Sequence, residues 1–297
     1  MKRFLKIIGL SIVVLIVIDI LFGITCRVLL PRAKGGNTAN EFYIAKESSE
    51  DIIMLGSSRM RRHYNPDVIE NITGLSCYNA GVNGNGIILA YGLFRMIEER
   101  YSPKVVLYDI SVFDVDEDEN EKFLSRLRPY YDEPGIDSIF LSIDKTERIK
   151  MLSNLYRYNT LWIGILGDIL HPARSYKKGY APLKGHITYT PIPSIHPQSA
   201  IDPIREKYLR QIASDCKNKG IKLIFIISPH YLIESDNAYF DPIRALCEEY
   251  SVELWDYFED ENYSRNMEYF NDQNHLNESG AIAFSTEIAN RLHKSLN

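Results

Sequence analysis

Five short, largely apolar runs (52–55, 75–79, 105–110, 223–228 and 252–255) alternate with helix-period segments along the chain. A strand that is apolar at nearly every position has both faces covered, which is the situation inside a parallel sheet sandwiched between helices. The intervening segments supply those helices. One is expected over 87–100, after Gly84 and Gly86. In a second, Ile204, Tyr208, Ile212 and Cys216 recur every fourth residue and Gly220 marks the stop. A last helix opening near Asn277 carries Ala281, Phe284, Ile288 and Leu292 on one side. Strand and helix patterns that alternate in this way predict an α/β fold with a parallel sheet.

The rhythm breaks between residues 115 and 200. This interval holds an acidic cluster (Asp114, residues 116–119 and Glu121), a helical hairpin expected over 144–170, and a Pro/Gly/Tyr-rich stretch over 171–197. It is too long for a plain crossover between the third and fourth strands, and is read as a cap over the site. The chain has 20 tyrosines, many of them in this interval, which either stack on sugars or pack with their hydroxyls at the surface; packing is the plainer account.

Residues 7–30 form an apolar stretch long enough to cross the ~30 Å hydrocarbon core of a bilayer as a helix. It reads as a membrane anchor (1–34) rather than a cleaved signal, because no small-x-small site precedes Lys34. Thr25 before Cys26 makes a poor lipoprotein site. Lys2, Arg3 and Lys6 favour a cytoplasmic N-terminus and an extracytoplasmic domain over 35–297, although Arg27, Arg32 and Lys34 on the other flank weaken the charge bias. Asp19 lies inside the span, marking either a partner helix or a snorkelling side chain in a single anchor. A polar linker is expected over 34–40. The formal charge of −5, with no basic cluster beyond Arg59, Arg61 and Arg62, excludes nucleic acid as a natural partner. Cys77, Cys216 and Cys247 show no metal-site spacing and are taken as buried thiols, with a Cys216–Cys247 pair open in an oxidising compartment. His171, His186 and His196 are too scattered for a metal site, and no cofactor is expected.

Two motifs carry chemistry. Gly56-Ser57-Ser58-Arg59 follows the first apolar run, and Asp272-Gln273-Asn274-His275 precedes the last helix. A serine hydroxyl is a poor nucleophile at neutral pH unless a histidine takes its proton and a carboxylate fixes that histidine's tautomer. Each motif alone has a bland reading, as a loop turn or a helix cap; in this order they read as an acyl-transfer site.

Together with Asn79-Ala80-Gly81-Val82-Asn83-Gly84 after the second run, and Leu276-Asn277-x-x-Gly280 after His275, these blocks resemble the SGNH/GDSL hydrolase superfamily over most of residues 51–297. The resemblance implies a flavodoxin-like three-layer α/β/α fold. It implies Ser58 as nucleophile, Asp272 and His275 as its partners, and backbone N–H groups of Ser58 and Gly84 as the oxyanion hole. Arg59, Asn83 and His230 are candidate substrate contacts, with a surface salt bridge for Arg59 and a structural role for His230 as the plainer accounts. The family's Gly-x-Asn-Asp block after the third strand is absent; Tyr108-Asp109-Ile110-Ser111-Val112-Phe113-Asp114 stands there. Divergent anchored branches lacking that Asn include proteins similar to those of teichoic-acid D-alanylation and alginate O-acetylation. The chain is therefore expected to be a membrane-anchored serine esterase or O-acyltransferase acting on acylated envelope glycans or small esters, with a membrane-bound acyl-donor protein as a further partner. The alternative is a non-catalytic glycan-binding or assembly subunit on the same scaffold.

Overall fold

The apolar runs become β1 (Ile52–Gly56), β2 (Cys77–Asn79), β3 (Val105–Asp109), β4 (Lys222–Ile227) and β5 (Glu253–Asp256), all parallel, in the order β2-β1-β3-β4-β5. The structure is a computed structural model that describes every residue except 116–119, 172–176, 190–199, 232–236 and 297. Much of the acidic cluster and part of the Pro/Gly/Tyr-rich stretch, with His196, lie outside the described residues.

Side chains alternate along each strand and feed two separate cores. Ile53, Leu55, Val106, Tyr108, Phe225 and Ile227 face one core, which is closed by α5 (Ile87–Glu98) and the helix Pro203–Lys219. Ile52, Met54, Val105, Leu107, Ile224 and Ile226 face the other, which is closed by α4 (Pro66–Thr73) and the helix Glu278–Leu296 through Phe284, Ile288 and Leu292. The result is the three-layer α/β/α arrangement, with the strand order of flavodoxin-like sheets. Its connections reverse direction between β1 and β3, and the carboxyl ends of those two strands flank the crevice where such sheets hold ligands.

Helix ends follow local chemistry. Asp202 accepts hydrogen bonds from the N–H groups of Ile204 and Arg205, with Pro203 at the first helical position, and Gly220 ends that helix in a left-handed conformation at φ 67°. All four cysteines are free and buried, so Cys216 and Cys247 do not pair.

Two sequence expectations differ from what is built. The polar stretch 34–40 is mostly helix: α2 (Gly36–Lys46) buries Ile44 and Ala45 against α5, and that burial overrides its polar start. The expected hairpin over 144–170 is three short helices, Glu147–Lys150, Asn154–Tyr158 and Leu161–Leu170. The breaks are made by Ser153, whose side chain caps the second, and by Asn159, which ends it at φ 12° and ψ −115°. The second and third pack on α1 (Lys2–Leu29), and the third also on α2. The C-terminal part of α1 belongs to the folded body, since Cys26 and Leu30 just after it are buried in the first core.

Candidate active site

β1 ends at Gly56, where φ is +149° and the Asp109 carbonyl crowds the position a Cβ would take. The chain then turns straight into α3 (Ser58–His63), with Ser57 capping it by accepting from the Arg59 N–H. Ser58 thereby stands at the carboxyl end of the sheet, half-buried. Across from it, β6 (Phe270–Asp272) and β7 (His275–Leu276) form a short antiparallel hairpin that pairs Asp272 with His275. The Asp-x-x-His spacing is therefore a tight turn. Capping of the last helix falls to Asn277, whose Oδ1 accepts from Ser279 and Gly280.

The hairpin places His275 Nε2 2.8 Å from Ser58 Oγ, and His275 Nδ1 2.9 and 3.0 Å from the two Asp272 oxygens. With Nδ1–H donating to the carboxylate, Nε2 is left to accept from the serine hydroxyl. Burial raises the Asp272 carboxyl, but the hydrogen bond and charge of His275 and the N–H groups of Asn274 and His275 outweigh it. The net effect holds Asp272 below the usual carboxylate range, as an anion.

The second block is tied to the first by backbone. Val82 N–H donates to Gly56 O at 3.0 Å, and Asn79 donates to the Met60 and Tyr64 carbonyls while accepting from Gly81 N–H. A side chain on Gly81 would collide with Arg61 and the Ser57 carbonyl, so glycine is what lets the two blocks close up. Beyond it, Asn83 and Gly84 are exposed, and Gly84 adopts φ +66°.

Arg59 faces inward. It is 4% exposed, donating to Ile110 O at 2.6 Å with its Nε 3.6 Å from Asp109, whose other oxygen accepts from Tyr64 OH. Its position one residue past Ser58 on α3 turns it under the sheet ends, so its ion pair is buried rather than a surface salt bridge. His230 is likewise buried, its ring packed on Phe258 and its N–H on the Phe258 carbonyl. It supports the site from behind, since the next residue, Tyr231, donates to Gln273 O in the β6–β7 hairpin.

Two residues that the sequence reading passed over hold the geometry. His63 is fully buried, and its Nε2 accepts the Leu276 N–H at 3.0 Å, fixing the strand that carries His275. Burial, then the neighbouring His275, Arg59 and Arg62, push it far below the ordinary histidine range, which keeps that nitrogen free to accept. Asp114 lies just beyond β3, buried. Its carboxylate accepts from Ile87 N–H, Tyr108 OH, Ser111 N–H and Ser111 Oγ, clamping the start of α5 directly after the Gly84 turn. A buried acid with such partners is invisible to spacing arguments, because one of them, Ile87 N–H, comes from a distant segment and the fold alone buries the group.

The insertion divides its work. Residues 177–189 bridge α3 to the β6–β7 hairpin: Arg62 donates to Ala181 O, Glu278 N–H to Leu183 O, and Ile187 N–H to Phe270 O. A cavity of about 480 Å³ lies between α2, α3 and the helix Leu161–Leu170, lined by Asn83, Arg61, Arg62, Arg126 and Asp168 among others. Among the described residues, no group of three or more His, Cys, Asp or Glu side chains is placed to hold a metal.

No protein-family model matches the chain, and no curated protein matches it. Solved structures similar to it include a protein assigned to the G-D-S-L lipolytic family from Desulfitobacterium hafniense DCB-2. That pair shares 8% identity and a TM-score of 0.43 over 81% of this chain and 98% of the other. They also include the acetyl xylan esterase AlAXEase, at 14% identity and TM-score 0.40 over 83% and 100% of the two chains. A third is LAE5, an alpha/beta hydrolase enzyme from the metagenome of Lake Arreo, Spain, at 11% identity and TM-score 0.43 over 86% and 99%.

Proposed function

We propose that the chain is a membrane-anchored serine esterase or O-acyltransferase of the SGNH type. It acts on acyl esters, most simply acetyl, of envelope or extracellular glycans. The observation that carries this reading is the continuous Ser58–His275–Asp272 chain of hydrogen bonds at the carboxyl end of the sheet.

In the proposed cycle His275 Nε2 takes the Ser58 proton as Oγ attacks the ester carbonyl, while anionic Asp272 stabilises the imidazolium that forms. The tetrahedral oxyanion is held by the N–H groups of Ser58 and Gly84. His275 then protonates the leaving alcohol, and water or a sugar hydroxyl, deprotonated by the same histidine, resolves the acyl-serine. The absent third-block Asn removes a donor of a kind worth ~2.7–4 kcal/mol of barrier elsewhere. This chain is accordingly a slow hydrolase, unless the acceptor or an acyl-donor partner completes the site. The cavity beside Asn83 is the space we assign to the acceptor sugar.

The N-terminus lies in the cytoplasm and the domain outside. Retention of α1, rather than cleavage as a signal, is supported by the burial of Cys26 and Leu30 in the core. The test is turnover of p-nitrophenyl acetate by the full-length chain in detergent. Ser58→Ala and His275→Ala should each abolish it while leaving the circular dichroism and melting temperature unchanged. Undiminished turnover in either variant would remove the assignment, and glycan binding with no turnover in the parent would point to the non-catalytic subunit.

A further inference from the structure

Asp19, in the apolar helix α1, is fully occupied. Its carboxylate accepts from Ser153 Oγ at 2.8 Å, Asn154 N–H at 2.9 Å, Asn154 Nδ2 at 3.0 Å and Leu155 N–H at 2.8 Å. These donors belong to the start of the helix Asn154–Tyr158 in the insertion, so the insertion sits at the depth of Asp19 wherever α1 lies. Other contacts fix the same docking. Phe22 meets Tyr158 and Trp162 edge-on, Arg27 donates to Asn154, and a side chain on Gly23 would collide with Asn154.

The insertion beside this joint exposes large apolar side chains: Ile149 (72%), Leu152 (80%), Leu155 (50%), Trp162 (40%) and Ile163 (58%). Two of the helices that carry or follow them, Asn154–Tyr158 and Leu161–Leu170, pack on α1, whose residues from Phe4 to Leu21 are largely exposed. Lys145 and Arg148 are exposed next to them. An apolar face with cations beside it matches a bilayer surface, with acyl chains below and phosphates above.

We infer that this face of the insertion, Ile149, Leu152, Leu155, Trp162 and Ile163, is immersed in the outer leaflet of the membrane that α1 crosses, so that the domain lies on the bilayer instead of hanging from a tether. The inference rests on the reading of α1 as a retained membrane span. The depths agree. About 20 helical residues span the ~30 Å hydrocarbon core. Counted from Ile7, after Lys2, Arg3 and Lys6, that length ends near Cys26. Asp19 then lies about 10 Å inside the outer boundary, at the deep end of the ~5–10 Å to which interfacial elements sink. The buried carboxylate is tolerated there because four donors replace water. The helix Leu161–Leu170, which carries Trp162 and Ile163, also lines the cavity beside Asn83 through Leu161, Gly164 and Asp168, so that cavity lies next to the membrane surface.

The test uses the full-length chain in phospholipid nanodiscs at one copy per disc, spin-labelled singly at Leu152→Cys, Ile163→Cys, Leu15→Cys in the anchor, or Arg265→Cys as an aqueous reference; the four native thiols are buried. Collision with oxygen is compared with collision with a water-soluble nickel chelate. The expected result is nickel access at 152 and 163 at least five-fold below that at 265, with raised oxygen access as at 15. Nickel access at 152 and 163 equal to that at 265, with 15 still shielded, overturns the immersion and leaves the anchor standing. Shielding without raised oxygen access assigns the face to a protein contact and overturns it too. Nickel access at 15 as well would overturn the span and the immersion together.

Discussion

At the scale of residues, the site is a set of hydrogen bonds whose members differ in how visible they are to the sequence. Ser58, Asp272 and His275 are legible because their chemistry demands those residue types and because each sits in a short block with a recognisable turn. His63 is not, since a lone histidine on a helix is ordinarily a structural residue, and only the fold brings its Nε2 to the Leu276 N–H. Replacing it tests whether it positions His275. His63→Phe leaves that buried N–H without an acceptor, at a cost of about 1–3 kcal/mol. It should lower kcat for an ester substrate by about 10²-fold with KM little changed. His63→Gln, which can still accept, should recover most of kcat. Equal loss in both variants, tracking only the fall in melting temperature, would reduce His63 to packing.

Among the elements, β1 to β4 were readable because they are buried on both faces, and the helix Pro203–Lys219 because Asp202, Pro203 and Gly220 punctuate it; the edge strand β5 buries Trp255 but exposes Glu253 and Asp256. α2 was not, because its polar start is ordered by contacts with distant segments, and in the insertion the helical character was readable but the breaks at Ser153 and Asn159 were not. Arg59 shows the same limit, since its spacing beside Ser58 suggested substrate and the fold turned it into the joint between strand ends. Through Arg59 the carboxyl ends of β1, β3 and β4 are held by Asp109, Ile110 and Ser228. Burial pushes the Asp109 carboxyl up to about 6 from 3.8, against the lowering pull of Arg59 and the hydrogen bonds of Tyr64 and Ser228. The folded state therefore binds this proton more tightly than the unfolded chain does. The contribution of Asp109 to stability should rise, by about 3 kcal/mol in the limit, as pH falls from above 6 to below 4. Asp272 has the opposite sign: its stabilisation is present above the unfolded value and lost as pH falls through its depressed folded value. Urea denaturation of Asp109→Asn across pH 4–7 should show the Asp109 component missing from the stability slope. An unchanged slope would contradict the assigned burial.

Across the whole molecule, the N-terminal helix is long and apolar enough to cross a membrane and is also part of the folded body. The apolar stretch was legible in the sequence but its docking was not, because the partners of Asp19 lie more than a hundred residues away. A chain starting at Gly35 loses the packing of Cys26 and Leu30 and the cap that Asp19 gives to Asn154–Tyr158. Losses of that kind sum to a few kcal/mol, or on the order of 10 °C in melting temperature for a domain of this size. Calorimetry of the two forms in the same detergent checks this, and equal melting temperatures would make α1 a mere tether. The arrangement as a whole places Ser58 at the mouth of a parallel sheet, hydrogen-bonded to His275, which is in turn aligned by the Asp272 carboxylate. The most direct test is the intact mass of the full-length chain after exposure to a serine-reactive fluorophosphonate. One adduct per chain in the parent, and none in Ser58→Ala, is the outcome expected of an activated nucleophile. A folded parent that takes up no adduct, or an adduct that persists in Ser58→Ala, would contradict the assignment of Ser58 as the nucleophile.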